Sequence, residues 1–185
     1  AAQAQAWAHF TPPPMKDEKP VEAANGMAVS AQHYASEVGA DILKQGGNAI
    51  DAAVAIGYAL AVTYPSAGNI GGGGLATIHL ANGKNTFINF REKAPAAASA
   101  NMYLDAKGNV IPMASLYDYK AVAVPGTVMG LQKILDEYGT MKRAQVMAPA
   151  IKLAENGFAL EQGDIDLLHT ATGEFEKDKD MRAIF

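Results

Sequence analysis

The sequence contains no cysteine, which excludes disulfides and thiol catalysis while leaving the cellular compartment open. Basic residues never cluster beyond Lys142-Arg143, and the formal net charge is −4. Nucleic acid and anionic membrane surfaces bind through dense positive charge, so neither is expected as a partner. No apolar run approaches the roughly 20 residues needed to cross a bilayer. The four histidines, His9, His33, His79 and His169, stand far apart without the spacing of a helical metal pair, and no metal site is expected. A Gly-x-Ser-x-Gly nucleophile elbow is missing as well. With 185 residues, 49% hydrophobic and 18% charged, the chain fits one globular domain or part of a larger one.

What is present centres on Gly47 to Arg91. Asn48 can cap a helix with its side-chain oxygen, and Asp51 suits the positive end of that helix. From Ala52 to Val62 there is no charge, so a helix over 49–62 has no face for water and is expected to be buried on all sides. Tyr64-Pro65 turns the chain, and Asn69-Ile70-Gly71-Gly72-Gly73-Gly74 follows. Two β-rich runs, 75–80 and 85–91, flank Asn82-Gly83, the preferred dipeptide of a type I′ hairpin turn. Phosphate-binding loops run from strand through glycines to helix. Here the order is helix, glycines, strand, and no Gly-Lys-Ser/Thr follows, so a nucleotide site is disfavoured. The glycines read as places where backbone passes close to bulk or takes positive φ.

Elsewhere the pattern predicts a short strand at Met27–Val29 with Ser30 as a cap. A helix over 31–45 follows, with Ala35, Val38, Gly39 and Ile42 on its apolar stripe and Gly46 ending it in the left-handed region. Residues 1–24, with Pro12-Pro13-Pro14 and Lys16-Asp17-Glu18-Lys19, read as an extended segment. Ala1 to Ala6 read as what is left when a signal peptide is removed beside small residues. Residues 93–110 read as a long surface excursion, and the apolar run 121–124 ends at Pro125-Gly126. A helix with Val128, Leu131, Leu135 and Tyr138 on one face follows Pro125-Gly126 and stops at Gly139, and another spans about 144–156, interrupted or begun at Pro149. A further helix starts near Asp164, and residues 174–180 are a solvated charge run. His79 reads as a half-buried structural histidine and Asp51 as a helix-dipole partner.

Arg91 is the one candidate site residue. It ends the hydrophobic run Thr86-Phe87-Ile88-Asn89-Phe90, and a guanidinium at the end of a core strand needs an anion. Its planar fork matches a carboxylate through two parallel hydrogen bonds. From the residues alone, an internal ion pair and a ligand site both remain open.

The segments Gly46-Gly47-Asn48-Ala49-Ile50-Asp51-Ala52-Ala53-Val54-Ala55, Gly68-Asn69-Ile70-Gly71-Gly72-Gly73-Gly74, Phe90-Arg91-Glu92-Lys93-Ala94-Pro95 and Pro125-Gly126-Thr127-Val128-Met129-Gly130 together resemble the γ-glutamyltranspeptidase family. That family belongs to the N-terminal-nucleophile hydrolases and includes γ-glutamyl transferases and hydrolases and some cephalosporin acylases. The resemblance implies an α/β fold, the four-layer αββα sandwich, with only part of it supplied by this chain. Residues 25–185 would be the front portion of a single domain, completed by further sequence or a partner chain. The resemblance also implies that Arg91 binds the α-carboxylate of a γ-glutamyl substrate. The family's nucleophile is an N-terminal threonine exposed by self-cleavage, whose own α-amino group takes the hydroxyl proton. No Thr-Thr pair occurs here, so no catalytic residue is assigned to this chain. The expected partner is the smaller C-terminal subunit of the same precursor, carrying that threonine. No cofactor is implied, and the resemblance leans toward a periplasmic or secreted location. Substrate readings are a γ-glutamyl donor of the glutathione type or a glutaryl β-lactam side chain. A non-catalytic carboxylate-binding scaffold is the reading of a different class.

Overall fold

The uncharged helix sets the architecture, because its apolar surface has to be wrapped by neighbours. The computed structural model describes residues 20–117 and 119–184. The expected extended segment therefore lies outside the described residues over 1–19, and residues 20–24 are exposed without regular structure. In chain order come α1 (His33–Lys44), α2 (Ala49–Thr63), β1 (Leu75–His79), β2 (Asn85–Asn89), a 3-10 turn (Tyr119–Ala121), α3 (Thr127–Tyr138), α4 (Arg143–Asn156), α5 (Gln162–Phe175) and α6 (Met181–Ile184). The mixed α/β class is as expected.

α2 lies at the centre and packs against α1, α3 and α4. It contributes Ala52, Val54, Ala55, Tyr58 and Ala59 to a core shared with Ala35, Val38 and Ile42 of α1, Leu131, Ile134 and Leu135 of α3, and Val146 and Ala150 of α4. α1 approaches closely because Gly39 leaves no room for a side chain: a Cβ there would stand 2.5 Å from Ile56 Cδ1. Each buried Ile or Val of this cluster contributes roughly 1.5–3 kcal/mol by leaving water. The expectation that α2 is buried on all sides is corrected along one line. Ala49 and Ala53 are exposed, and a cavity of about 370 Å3 separates them and Ile50 from Ala76 and Ile78 of the hairpin and Leu131 of α3. An apolar helix with one uncovered edge is what a chain supplying part of a sandwich leaves.

β1 and β2 pair antiparallel with Thr77 opposite Phe87 and Ile78 opposite Thr86. Ile78 and Ile88 face the core, while Leu75 and Phe87 on the other face are 56% and 59% exposed. The turn is not type I′, which needs positive φ at both central residues. Only Gly83 has positive φ (83°), with its N–H donating to the Leu80 carbonyl and the Leu80 N–H donating to Lys84. This is a three-residue loop with glycine in the left-handed position.

Other boundaries shift for local reasons. The Met27–Val29 strand is absent. Gln32, not Ser30, caps α1 by accepting from the Tyr34 N–H at 2.7 Å, while Ser30 bonds Ser36. Gly46 has φ 91° and ends α1 as expected. α4 runs through Pro149. α5 buries no residue. His79 is exposed, its Nδ1 at 2.7 Å from Asn85 Oδ1, rather than half-buried. Among the described residues no helix is long and apolar enough to cross a membrane.

Candidate functional site

Three of the sequence motifs meet at one place. The glycine loop 71–74, the segment Phe90-Arg91 just after β2, and the first turn of α3 at Gly126–Gly130 close around each other with backbone against backbone. A Cβ on Gly73 would stand 2.7 Å from Arg91 Cα, and one on Gly74 2.6 Å from the Phe90 ring. On the opposite wall, a Cβ on Gly126 would collide with the Phe90 carbonyl oxygen and one on Gly130 with the Phe90 ring. Real side-chain carbons do not sit at such distances, so a side chain at any of these positions would force its neighbour to move. Phe90-Arg91 is thus wedged in a slot with glycines on both walls.

Hydrogen bonds fix the segment at both ends. Phe90 exchanges backbone bonds with Gly74 (3.0 and 3.4 Å), and Lys93 exchanges them with Val124 (3.1 and 2.8 Å). The Arg91 N–H donates to Asn89 Oδ1 at 3.0 Å. The walls are joined to each other as well. The Gly72 carbonyl accepts from the N–H groups of Gly126 and Thr127 at 2.7 and 3.0 Å. Asn69 Oδ1 accepts from the Gly72 N–H at 2.8 Å and from the Thr127 hydroxyl at 2.6 Å.

Arg91 therefore has a fixed backbone and an open side chain. The side chain is 68% exposed, and its Nε lies 3.6 Å from Glu92 Oε2, a loose contact at the surface. Strand β2 ends at Asn89, so Arg91 does not end a core strand, and its guanidinium is not a buried ion-pair partner. What the arrangement offers chemically is a planar five-donor group, held at its root and free at its tip, which suits a carboxylate. Asn69 and Thr127, which hold the walls together, were inside the quoted motifs but not singled out as site residues. Their bond spans 58 positions of sequence, and nothing in local spacing announces it.

Asp51 belongs to a different construction. Its carboxylate accepts from Asn48 N (2.8 Å), Thr140 N (2.9 Å), Thr140 Oγ1 (2.6 Å) and Met141 N (3.0 Å), and the residue is wholly buried. Burial pushes the carboxyl up, but the hydrogen bonds from Thr140, Met141 and Asn48 outweigh it and hold the group below its ordinary value. Asn48 adds caps to Ile50 and Asp51 and donates to the Tyr138 carbonyl at 2.7 Å. Asp51 is more than a dipole partner: it ties the start of α2 to the link between α3 and α4.

Among the described residues no three His, Asp or Glu side chains gather to hold a metal ion. An apolar groove of about 350 Å3 lies between Tyr64-Pro65 and α5, lined by Leu160, Leu167, Leu168 and Phe175. Asp164 is its one charged lining residue, and neither Arg91 nor a glycine of the slot reaches it.

Residues 35–185 match the family described as Gamma-glutamyltranspeptidase. A glutathione hydrolase proenzyme from a Pseudomonas species is 64% identical over 162 residues, covering 88% of this chain and 28% of that protein. An acylase proenzyme, ACY 1, from another Pseudomonas strain is 37% identical over 174 residues, covering 91% of this chain and 31% of that one. The crystal structure of Helicobacter pylori gamma-glutamyltranspeptidase superposes with a TM-score of 0.84 at 53% identity, over 88% of this chain and 47% of that chain. The elements seen here fit part of that α/β sandwich. The chain spans less than a third of the length of these two curated relatives.

Proposed function

We propose, because this chain belongs to the gamma-glutamyltranspeptidase family, that it is the front portion of an enzyme that cleaves γ-glutamyl amide bonds and passes the acyl group to water or to an amine. The nucleophile, in this reading, is the N-terminal threonine of a smaller chain cut from the same precursor, and no cofactor takes part. Residues 25–185 then form the front of one domain that the rest of the precursor completes. A periplasmic or secreted location is part of this reading.

The observation that carries the reading is Arg91, rooted between glycine walls with its guanidinium open. In the proposed complex the fork takes the α-carboxylate of the donor through two parallel hydrogen bonds. With the carboxylate anchored, the covalent skeleton of the donor carries the scissile γ-carbonyl to one place, so the acyl carbon meets the threonine hydroxyl in a fixed pose. The threonine α-amino group takes the hydroxyl proton, an acyl-threonine forms, and the amine leaves with that proton. Attack by water or a second amine releases the γ-glutamyl group.

A second reading, a glutaryl acylase, is supported by the identity to the acylase proenzyme. A glutaryl group carries the same distal carboxylate and lacks the α-amino group. A scaffold that binds carboxylates without turnover is the remaining reading. The complete protein, assayed on γ-glutamyl, glutaryl and 4-aminobutyryl anilides, separates them. The enzyme reading expects turnover in the order γ-glutamyl, then glutaryl, with the 4-aminobutyryl compound lowest because it lacks the carboxylate. Intact-mass analysis is expected to show a second chain starting at threonine. Glutaryl first in the order would favour the acylase, and no turnover with no second chain would favour the scaffold.

A further inference from the structure

The two walls of the slot that holds Arg91 are joined by two side chains, Asn69 and Thr127. The residue before α3, Gly126, stands in the capping position and has no side chain to cap the helix. Its first free N–H groups, Gly126 and Thr127, go instead to the Gly72 carbonyl of the glycine loop. The Thr127 hydroxyl, 7% exposed as a residue, is spent on Asn69 rather than on its own helix. Asn69 fills both acceptor sites of Oδ1, with the Gly72 N–H and the Thr127 hydroxyl, and one of its two Nδ2 hydrogens goes to the Ala67 carbonyl at 3.0 Å. One amide thus shapes the glycine loop and bolts it to the helix. Between those two walls lies Phe90-Arg91, with Gly73 on one side and Gly126 on the other.

We propose that Asn69 and Thr127 are positioning residues for Arg91: their hydrogen bond fixes the spacing of the slot and so aims the guanidinium. The inference rests on the reading that Arg91 takes the substrate carboxylate. Without the bond the walls keep their glycines and the Gly72 contacts, so the chain folds. The slot becomes wider and softer, and a fork held loosely at its root loses directional hydrogen bonds first.

The experiment uses the complete protein, with a γ-glutamyl anilide and its 4-aminobutyryl counterpart as the donor pair. Thr127→Val keeps the branched shape and removes the hydroxyl. It is expected to raise KM for the γ-glutamyl donor about 3- to 10-fold, the loss of one hydrogen bond's worth of orientation, with kcat changed less than about twofold. KM for the donor without a carboxylate should stay put. Thr127→Ser restores the donor and should restore KM. Asn69→Ala removes the same bond from the other partner and should repeat the pattern, which keeps the inference open to test if Thr127→Val folds poorly. In an Arg91→Ala background, Thr127→Val should have no further effect on KM.

A lowered melting temperature with unchanged KM would overturn the inference and leave the bond a purely structural one. Equal KM rises for both donors, or additive effects with Arg91→Ala, would also overturn it, since Thr127 would then act by another route. Arg91→Ala reports on the parent reading separately. If it leaves the preference for the carboxylate donor intact, the role of Arg91 falls, and a persisting Thr127→Val effect takes this inference with it. If Arg91→Ala abolishes the preference while Thr127→Val and Asn69→Ala do nothing, only the positioning role is lost.

Discussion

Asp51 and Arg91 are both charges set beside the core, and the chain treats them in opposite ways. Around Asp51 the backbone turns its N–H groups toward the side chain, and four donors meet a carboxylate with no exposure to water. Around Arg91 the backbone is what gets enclosed, by glycines that leave no room for side chains, and the charge is left facing out with one loose neighbour, Glu92. A charge that holds a fold together has its hydrogen-bonding capacity filled by the fold. In the proposed reading Arg91 keeps that capacity open for a carboxylate, and rigidity is supplied at its root instead.

The contrast can be broken by substitution, beginning where the effect is greatest. Asp51→Ala strands the N–H groups of Thr140 and Met141 and frees the loop that joins α3 to α4. Stability is expected to drop by about 3–4 kcal/mol, a fall of roughly 10 °C in Tm, as read by thermal unfolding. Gly126→Ala drives a methyl group into the Phe90 carbonyl oxygen. Its expected cost is about 2 kcal/mol of stability, together with a raised KM for the γ-glutamyl donor, because the wall must move. A KM unchanged by Gly126→Ala would mean the slot does not aim Arg91. His79→Ala, on the exposed face of the hairpin, should stay within about 0.5 kcal/mol by the same unfolding assay.

Acid sharpens the comparison without a new side chain. The Asp51 carboxyl is held below its ordinary value in the folded chain, so its contribution is present above the unfolded pKa and is lost as pH falls through the folded one. The stability gap between the wild type and Asp51→Asn should therefore be flat from about pH 5 upward and close below about pH 4. A gap constant down to pH 2 would mean that the carboxylate's charge is not what the four donors recognise.

How much of this could be read in advance follows from the range of each interaction. α1 to α4 were legible because helix signals are local: the Ala35–Ile42 stripe, Asn48 before an uncharged run, and Gly46 and Gly139 as stops. The hairpin was legible in its strands and not in its turn, since Asn82-Gly83 permits two loop types and one extra residue of register decides between them. Ser30 was a sound cap by type, but a bond to Ser36 claimed it and Gln32 took the role. The full coverage expected of α2 failed at Ala49 and Ala53 because composition says that a face is apolar, not that this stretch of chain supplies its cover. Within the site, the resemblance pointed to Arg91, whereas Asn69 and Thr127 became visible only when residues 58 positions apart came into contact.

The most direct measurement compares Arg91→Ala with Asp51→Ala on two axes, Tm and the preference for a γ-glutamyl over a 4-aminobutyryl donor. Arg91→Ala should leave Tm within about 2 °C, because an exposed side chain with one loose contact contributes little to stability. The same change should cut kcat/KM for the γ-glutamyl donor by roughly thirty- to several-thousand-fold, the loss of about 2–5 kcal/mol of charge pairing, and erase the preference between donors. Arg91→Lys should recover only part, since an ammonium keeps the charge and loses the fork. Asp51→Ala should do the reverse, lowering Tm while the folded fraction keeps its preference. A sharp fall in Tm for Arg91→Ala with the donor preference intact would contradict the division of labour between the two charges.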